Sequence, residues 1–197
     1  MVRRRGWGRD DYRDRYRNYG GYGGFAPYVP VAKRRANAAA YAKSLEKQQG
    51  RKLAPITIEG RKIATSFWGQ AWCDNLESYS DFSNRLPRGR TYVRNGSVID
   101  LSITPGQIKA LVSGSQVYNV DISITTLPAA EWQDILRDCA QSIASLIDLV
   151  QGRFDRGVMQ RLTQPQGGLF PKPQEIKMRC SCPDYAGLCK HIAAVLY

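Results

Sequence analysis

Residues 180–191 read Cys-Ser-Cys-Pro-Asp-Tyr-Ala-Gly-Leu-Cys-Lys-His, so three thiols and the single histidine of the chain fall within twelve positions. Three sulfurs and one imidazole form a four-donor set that Zn(II) accepts in tetrahedral geometry. The spacing can bring the donors together. Along a strand, residues i and i+2 share a face, so Cys180 and Cys182 point one way and Ser181 the other. Two positions apart in a helix lie about 200° apart around its axis. Cys189 therefore belongs just before a helix, with His191 in its first turn. Four protein donors leave no open coordination position, which makes the expected role of one zinc ion structural. The positive helix N-terminus and Lys190 are expected to help hold the thiolates ionised. A redox pair is the alternative, but it would need neither a third thiol nor a histidine.

These donors require a strand, a turn and a helix. Glu175 to Arg179 is strand-like, Pro183-Asp184 turns the chain, and His191 to Tyr197 reads as a helix. Upstream, Ile56–Ile58 and Ile63–Thr65 flank Glu59-Gly60-Arg61-Lys62 and predict a short hairpin. Phe67, Trp68, Ala71, Trp72 and Leu76 recur at helical spacing and predict an amphipathic helix ending near Tyr79. Residues 91–95 and 97–103 around Asn95-Gly96 predict a second hairpin. Pro105-Gly106 marks another turn, and 108–112 and 117–125 read as two further strands. Residues 128–150 carry a long apolar stripe that includes Trp132, Ile135, Leu136, Cys139 and Ile143. A shorter helix is expected over 154–163. Cys73 and Cys139 fall inside the helical stripes and read as buried thiols. The fold class is α+β: a small antiparallel sheet packed with helices, a ββα-like finger at the C-terminus and a disordered basic tail at the N-terminus.

The charge is strongly divided. The 197 residues carry a net +12, of which +10 lies in residues 1–52 and +2 in the rest. Residues 1–28 hold seven arginines (Arg3, Arg4, Arg5, Arg9, Arg13, Arg15, Arg17), seven aromatics and six glycines. That composition cannot bury enough apolar surface to offset ordering entropy. It suits stacking on bases and neutralising phosphates, and it equally suits a solubilising tail. Residues 31–49 predict an Ala/Lys/Gln-rich helix closed by Gly50, read as a solvated linker or a basic helix against phosphate. Arg85, Arg88 and Arg90 lie in the segment Arg85-Leu86-Pro87-Arg88-Gly89-Arg90, with Arg94 close by. They form a candidate phosphate patch on the sheet edge, or pair with acids such as Asp74, Glu77 and Asp81. The organisation read from this is a tail over 1–30, a basic linker helix over 31–52, an α+β domain over 53–166 and a zinc finger over 167–197.

The Cys-x-Cys…Cys-x-His pattern with Pro183-Asp184 and Cys189-Lys190-His191 resembles the SWIM zinc finger. Phe67-Trp68-Gly69 with Trp72, the 85–90 segment, Tyr92–Gly96 and Leu169-Phe170-Pro171 extend the resemblance to bacterial SWIM zinc finger proteins over residues 55–197. The resemblance implies that Cys180, Cys182, Cys189 and His191 are zinc ligands. It also implies a DNA-binding or protein-interaction module that works with a Swi/Snf-type helicase-like ATPase or the transcription machinery. Members usually continue past the position of Tyr197, which implies truncation here.

The function expected is a non-catalytic, nucleic-acid-binding adaptor, DNA-associated rather than RNA-associated, cytoplasmic and close to the nucleoid. A pure protein-interaction subunit and an RNA-binding protein acting through its tail are the alternatives. Enzyme chemistry is disfavoured. The only histidine is committed to metal, no Gly-x-x-x-x-Gly-Lys-Ser/Thr loop is present, and Asp10-Asp11 sit in the tail. No apolar run approaches the roughly 18 residues of a membrane span.

Overall fold

A computed structural model describes residues 30–60, 62–79, 83–140, 155–184 and 186–197. The tail and its seven arginines lie outside them, as do residues 141–154, which include the second half of the long helix expected over 128–150. In chain order the described elements are α1 (Val31–Gln49), α2 (Phe67–Glu77), α3 (Leu86–Arg94), β1 (Val98–Thr104), β2 (Gln107–Ser113) and β3 (Val117–Ile124). They continue with α4 (Ala129–Ala140), α5 (Arg156–Leu162), a 3-10 turn (Pro173–Glu175), β4 (Ile176–Cys180) and α6 (Lys190–Leu196). The class is α+β.

The four strands form one antiparallel sheet in the order β1-β2-β3-β4. Strands β1 to β3 are a meander, with Gly106 (φ 70°) in the two-residue turn between β1 and β2. The last strand comes from the finger: Ile176 to Cys180 pairs with Ile124 to Val120. Alternation places Ala110, Val112, Val120, Ile122 and Ile176 on one face, where they meet Leu76, Leu86, Val93, Leu188, Ile192 and Leu196 in a single core. Each buried Val, Leu or Ile among them contributes about 1.5–3 kcal/mol by leaving water.

Two expected hairpins are absent. Residues 91–95 are not a strand but the end of α3, and Asn95-Gly96 terminates a helix rather than turning a hairpin. Gly96 has φ 67°, its N–H donates to Val93 O (2.9 Å), and the Ser97 N–H donates to Tyr92 O (3.0 Å). Asn-Gly supplies the left-handed residue that both structures need. The helical spacing of the buried residues Leu86, Gly89 and Val93 decided between them. The segment 56–65 turns at Gly60 (φ 75°), but its two arms do not pair. Instead the chain runs beside β1, where Leu101 N–H donates to Ala54 O and Ile56 N–H to Val98 O, both at 3.0 Å. Ile56, Ile58 and Ile63 each pack on the core, and that burial outweighs local strand pairing.

Asp100, on β1, ties down the chain that enters this segment. It accepts from Arg51 Nη2 at 2.5 Å and from the Ala54 N–H at 2.9 Å. Burial alone raises its pKa. The Arg51 hydrogen bond, the Ala54 N–H and the Arg51 charge together outweigh that and hold the carboxyl below its ordinary value.

α6 is short and almost wholly inside: His191, Ile192, Ala193, Ala194 and Leu196 are buried. It lies against α3 at Gly89, where an added Cβ would stand 2.5 Å from Ala193 Cβ and 2.7 Å from its carbonyl carbon. The Trp72 indole N–H donates to Leu196 O (2.6 Å), satisfying a carbonyl at the helix C-terminus.

Candidate metal centre

The sheet positions the first two sulfurs. Cys180 pairs with Val120 at the end of β4. Ser181 points away and extends the ladder by one residue: its N–H donates to Asn119 O and its Oγ accepts from Asn119 N, both at 3.0 Å. The pleat then returns Cys182 to the face of Cys180, against the core. A loop follows in which Asp184 accepts from the Ala186 N–H (3.2 Å) and pairs with Arg85 (3.2 Å). Cys189 is the N-cap of α6, with its Sγ accepting from the Ile192 N–H at 3.5 Å. His191 is the second helical residue.

The four donor atoms lie within 4.8 Å of one another. Nδ1 of His191 is 3.8 Å from Cys180 Sγ and 3.9 Å from Cys189 Sγ. A tetrahedron with Zn–S bonds of about 2.3 Å has S–S edges of about 3.8 Å, with slightly shorter edges to nitrogen. The donor set thus fits one zinc ion with no open position, which is a structural site. Burial pushes the Cys180 thiol up to about 12, with the neighbouring sulfurs adding to it. Burial likewise raises Cys189. Burial, aided by the Lys190 charge, lowers His191 to about 4, which keeps the imidazole in its neutral, ligating form. A divalent cation supplies the charge that such sulfurs need in order to ionise, and binding it releases protons. The Lys190 ammonium lies over the Tyr92 ring, 5.4 Å from the centroid.

Three residues shape the site without ligating. Tyr118 stacks on the imidazole at 4.4 Å, and Tyr92 meets it edge-on at 5.4 Å. Tyr118 is fixed by a 2.6 Å hydrogen bond between its hydroxyl and Ser115 Oγ. Gly114 lies against the far edge of the ring. A Cβ there would stand 2.9 Å from His191 Nε2 and 2.8 Å from Tyr118 Cε2. Nε2 is buried with no hydrogen-bond partner among the described residues, and aromatic packing rather than the usual second hydrogen bond orients the ring. No local motif marks Gly114, Tyr118 or Tyr92 for this role; only the strand register and the α3–α6 contact bring them to His191.

The structure places the Arg85–Arg94 segment on a helix. Its residues belong to α3 and its first flank rather than to a loop on the sheet edge. Arg85 pairs with Asp184. Arg90 pairs with Glu77 (2.8 Å) and lies over the Tyr197 ring. Arg88 and Arg94 are exposed and have no ion-pair partner among the described residues. Cys73 and Cys139 are only half-buried, and neither joins the metal cluster.

Residues 169–197 match the SWIM zinc finger family. This segment, with its convergent Cys180, Cys182, Cys189 and His191, is a SWIM-type zinc finger. The chain is also 35% identical over 138 residues to "Uncharacterized protein Rv2102" of Mycobacterium tuberculosis (strain ATCC 25618 / H37Rv), covering 68% of this chain and 50% of that protein. It therefore spans about half the length of the curated relative it matches. No solved structure shows a significant match. Among the described residues, no helix is long and apolar enough to cross a membrane.

Proposed function

We propose that this chain is a non-catalytic, zinc-stabilised adaptor that binds nucleic acid, DNA before RNA, and works beside a Swi/Snf-type helicase-like ATPase or the transcription machinery in the bacterial cytoplasm. The observation that carries the reading is a closed four-donor metal site built into the sheet, joined to a segment of residues 1–52 that holds +10 of the chain's charge. A saturated metal shapes a surface and has no place for a substrate. A basic segment of this composition favours polyanions through counterion release. The helicase-like partner rests on the resemblance of the finger and its flanking motifs.

The test is binding of labelled duplex DNA, single-stranded DNA and RNA to the full chain across a salt series. Affinity is expected to fall steeply with salt, to weaken several-fold when residues 1–28 are removed, and to be strongest for DNA. Salt-independent binding, or none, overturns the reading. The interaction-subunit reading has one observation in its favour. An apolar cleft of about 400 Å³ opens beside α6, lined by Trp72, Leu101, Ile108, Ile124, Phe170 and Tyr197. A pull-down with nuclease treatment separates the two, because a partner retained without nucleic acid supports that second reading.

A further inference from the structure

A second cleft, of about 450 Å³, lies between α1 and the strand-like segment before β1. Its lining includes Arg35, Lys43 and Arg94 and no carboxylate; Ala38, Ala39, Ala42, Ile58 and Ile99 supply its apolar surface. We infer that this trough binds one strand of nucleic acid, with phosphates on the cationic side chains and sugar or base faces on the apolar surface. The inference rests on the nucleic-acid reading above and assigns that binding a place on the folded part of the chain.

The trough follows from how α1 docks. Arg35 donates from Nε to Asn95 O (2.9 Å) and from Nη2 to Arg94 O (3.0 Å). It thereby satisfies the last carbonyls of α3 and sets its charge at the negative end of that helix. Lys43 is eight residues further along α1, about 12 Å up the axis and within about 80° of the same side. Arg94, at the end of α3, lines the same cleft. Neither Lys43 nor Arg94 has a carboxylate partner among the described residues, so both charges are available to an anion. The alanines that made α1 look like a featureless linker are what leave the space: a larger residue at 39 or 42 would fill it. Cations beside an apolar surface are the arrangement by which proteins hold single strands without reading sequence.

The test uses the full chain and a fluorescein-labelled oligo-dT strand, with a duplex of equal length beside it. The double variant Lys43→Ala/Arg94→Ala is expected to weaken single-strand binding about fivefold or more. It should also lower the slope of log affinity against log salt by about 1.4, two phosphate contacts' worth, with zinc content unchanged. The control Lys33→Ala/Lys47→Ala removes the same charge from α1 outside the trough and is expected to cost less than about twofold on the same electrostatic grounds. Ala39→Leu fills the trough without changing charge and is expected to weaken binding as well. Equal losses from the two double variants, or unchanged binding by Ala39→Leu, overturn the trough while leaving the general function standing. If the unmodified chain binds neither strand nor duplex, the function itself fails.

Discussion

Gly114 shows how little space the metal site leaves. Its missing side chain makes room for the edge of His191 and for Tyr118, so Gly114→Ala is expected to turn the imidazole away from the sulfurs although every ligand remains. Zinc affinity should fall about 10-fold or more, as it does when groups supporting a ligand are disturbed; competition with a colorimetric chelator measures it. Cys180→Ser or Cys189→Ser removes a donor outright and should reduce zinc below one ion per chain by metal analysis, with loss of folding. Asp100 belongs to the same scale. Its carboxyl titrates below its ordinary value of 3.8. The stability it contributes is therefore complete above about pH 4 and is lost as pH falls through the depressed value. Asp100→Asn should lower stability at neutral pH and flatten this part of the acid limb. Denaturant melts of both proteins at matched pH would show it, because zinc loss in acid is common to the two and cancels in the difference.

Among the elements, α3 and α6 depend most on each other. Gly89 lets them approach until a Cβ on one would overlap Ala193 on the other. Alanine at 89 gains helix propensity of about 1 kcal/mol, but a clash with backbone in a filled core costs about 1–3 kcal/mol. The clash is expected to win: Gly89→Ala should lower the melting temperature, and zinc affinity with it, because α6 carries His191. Calorimetry with and without added zinc checks both. The same helix explains a failure of local reading. Asn95-Gly96 between short alternating runs predicts a hairpin, yet Leu86, Gly89 and Val93 face α6 at helical spacing, and that contact is invisible in a window of ten residues.

At the scale of the molecule, the finger is not an appendage. Its strand is the fourth of the sheet, and its helix lies in the same core as β1 to β3. Chelating the metal is therefore expected to melt sheet and finger in one transition, seen as loss of amide protection in β2 and β3 as well as in β4 and α6. Survival of a protected β1–β3 meander after chelation would contradict this coupling.

The donor set, its structural character, the strand–turn–helix order around it and the concentration of charge before residue 53 were all determined by the sequence alone. They depend on residue type and on spacings of two to nine positions, which local backbone geometry converts directly into direction. Tertiary structure decided the rest. It made residues 86–94 a helix, unpaired the arms around Gly60, divided the arginines between Asp184, Glu77 and the trough beside α1, and set Tyr92, Tyr118 and Gly114 around His191. Each of those outcomes turns on a contact between segments distant along the chain, where burial of apolar surface outweighs the preference of any short stretch.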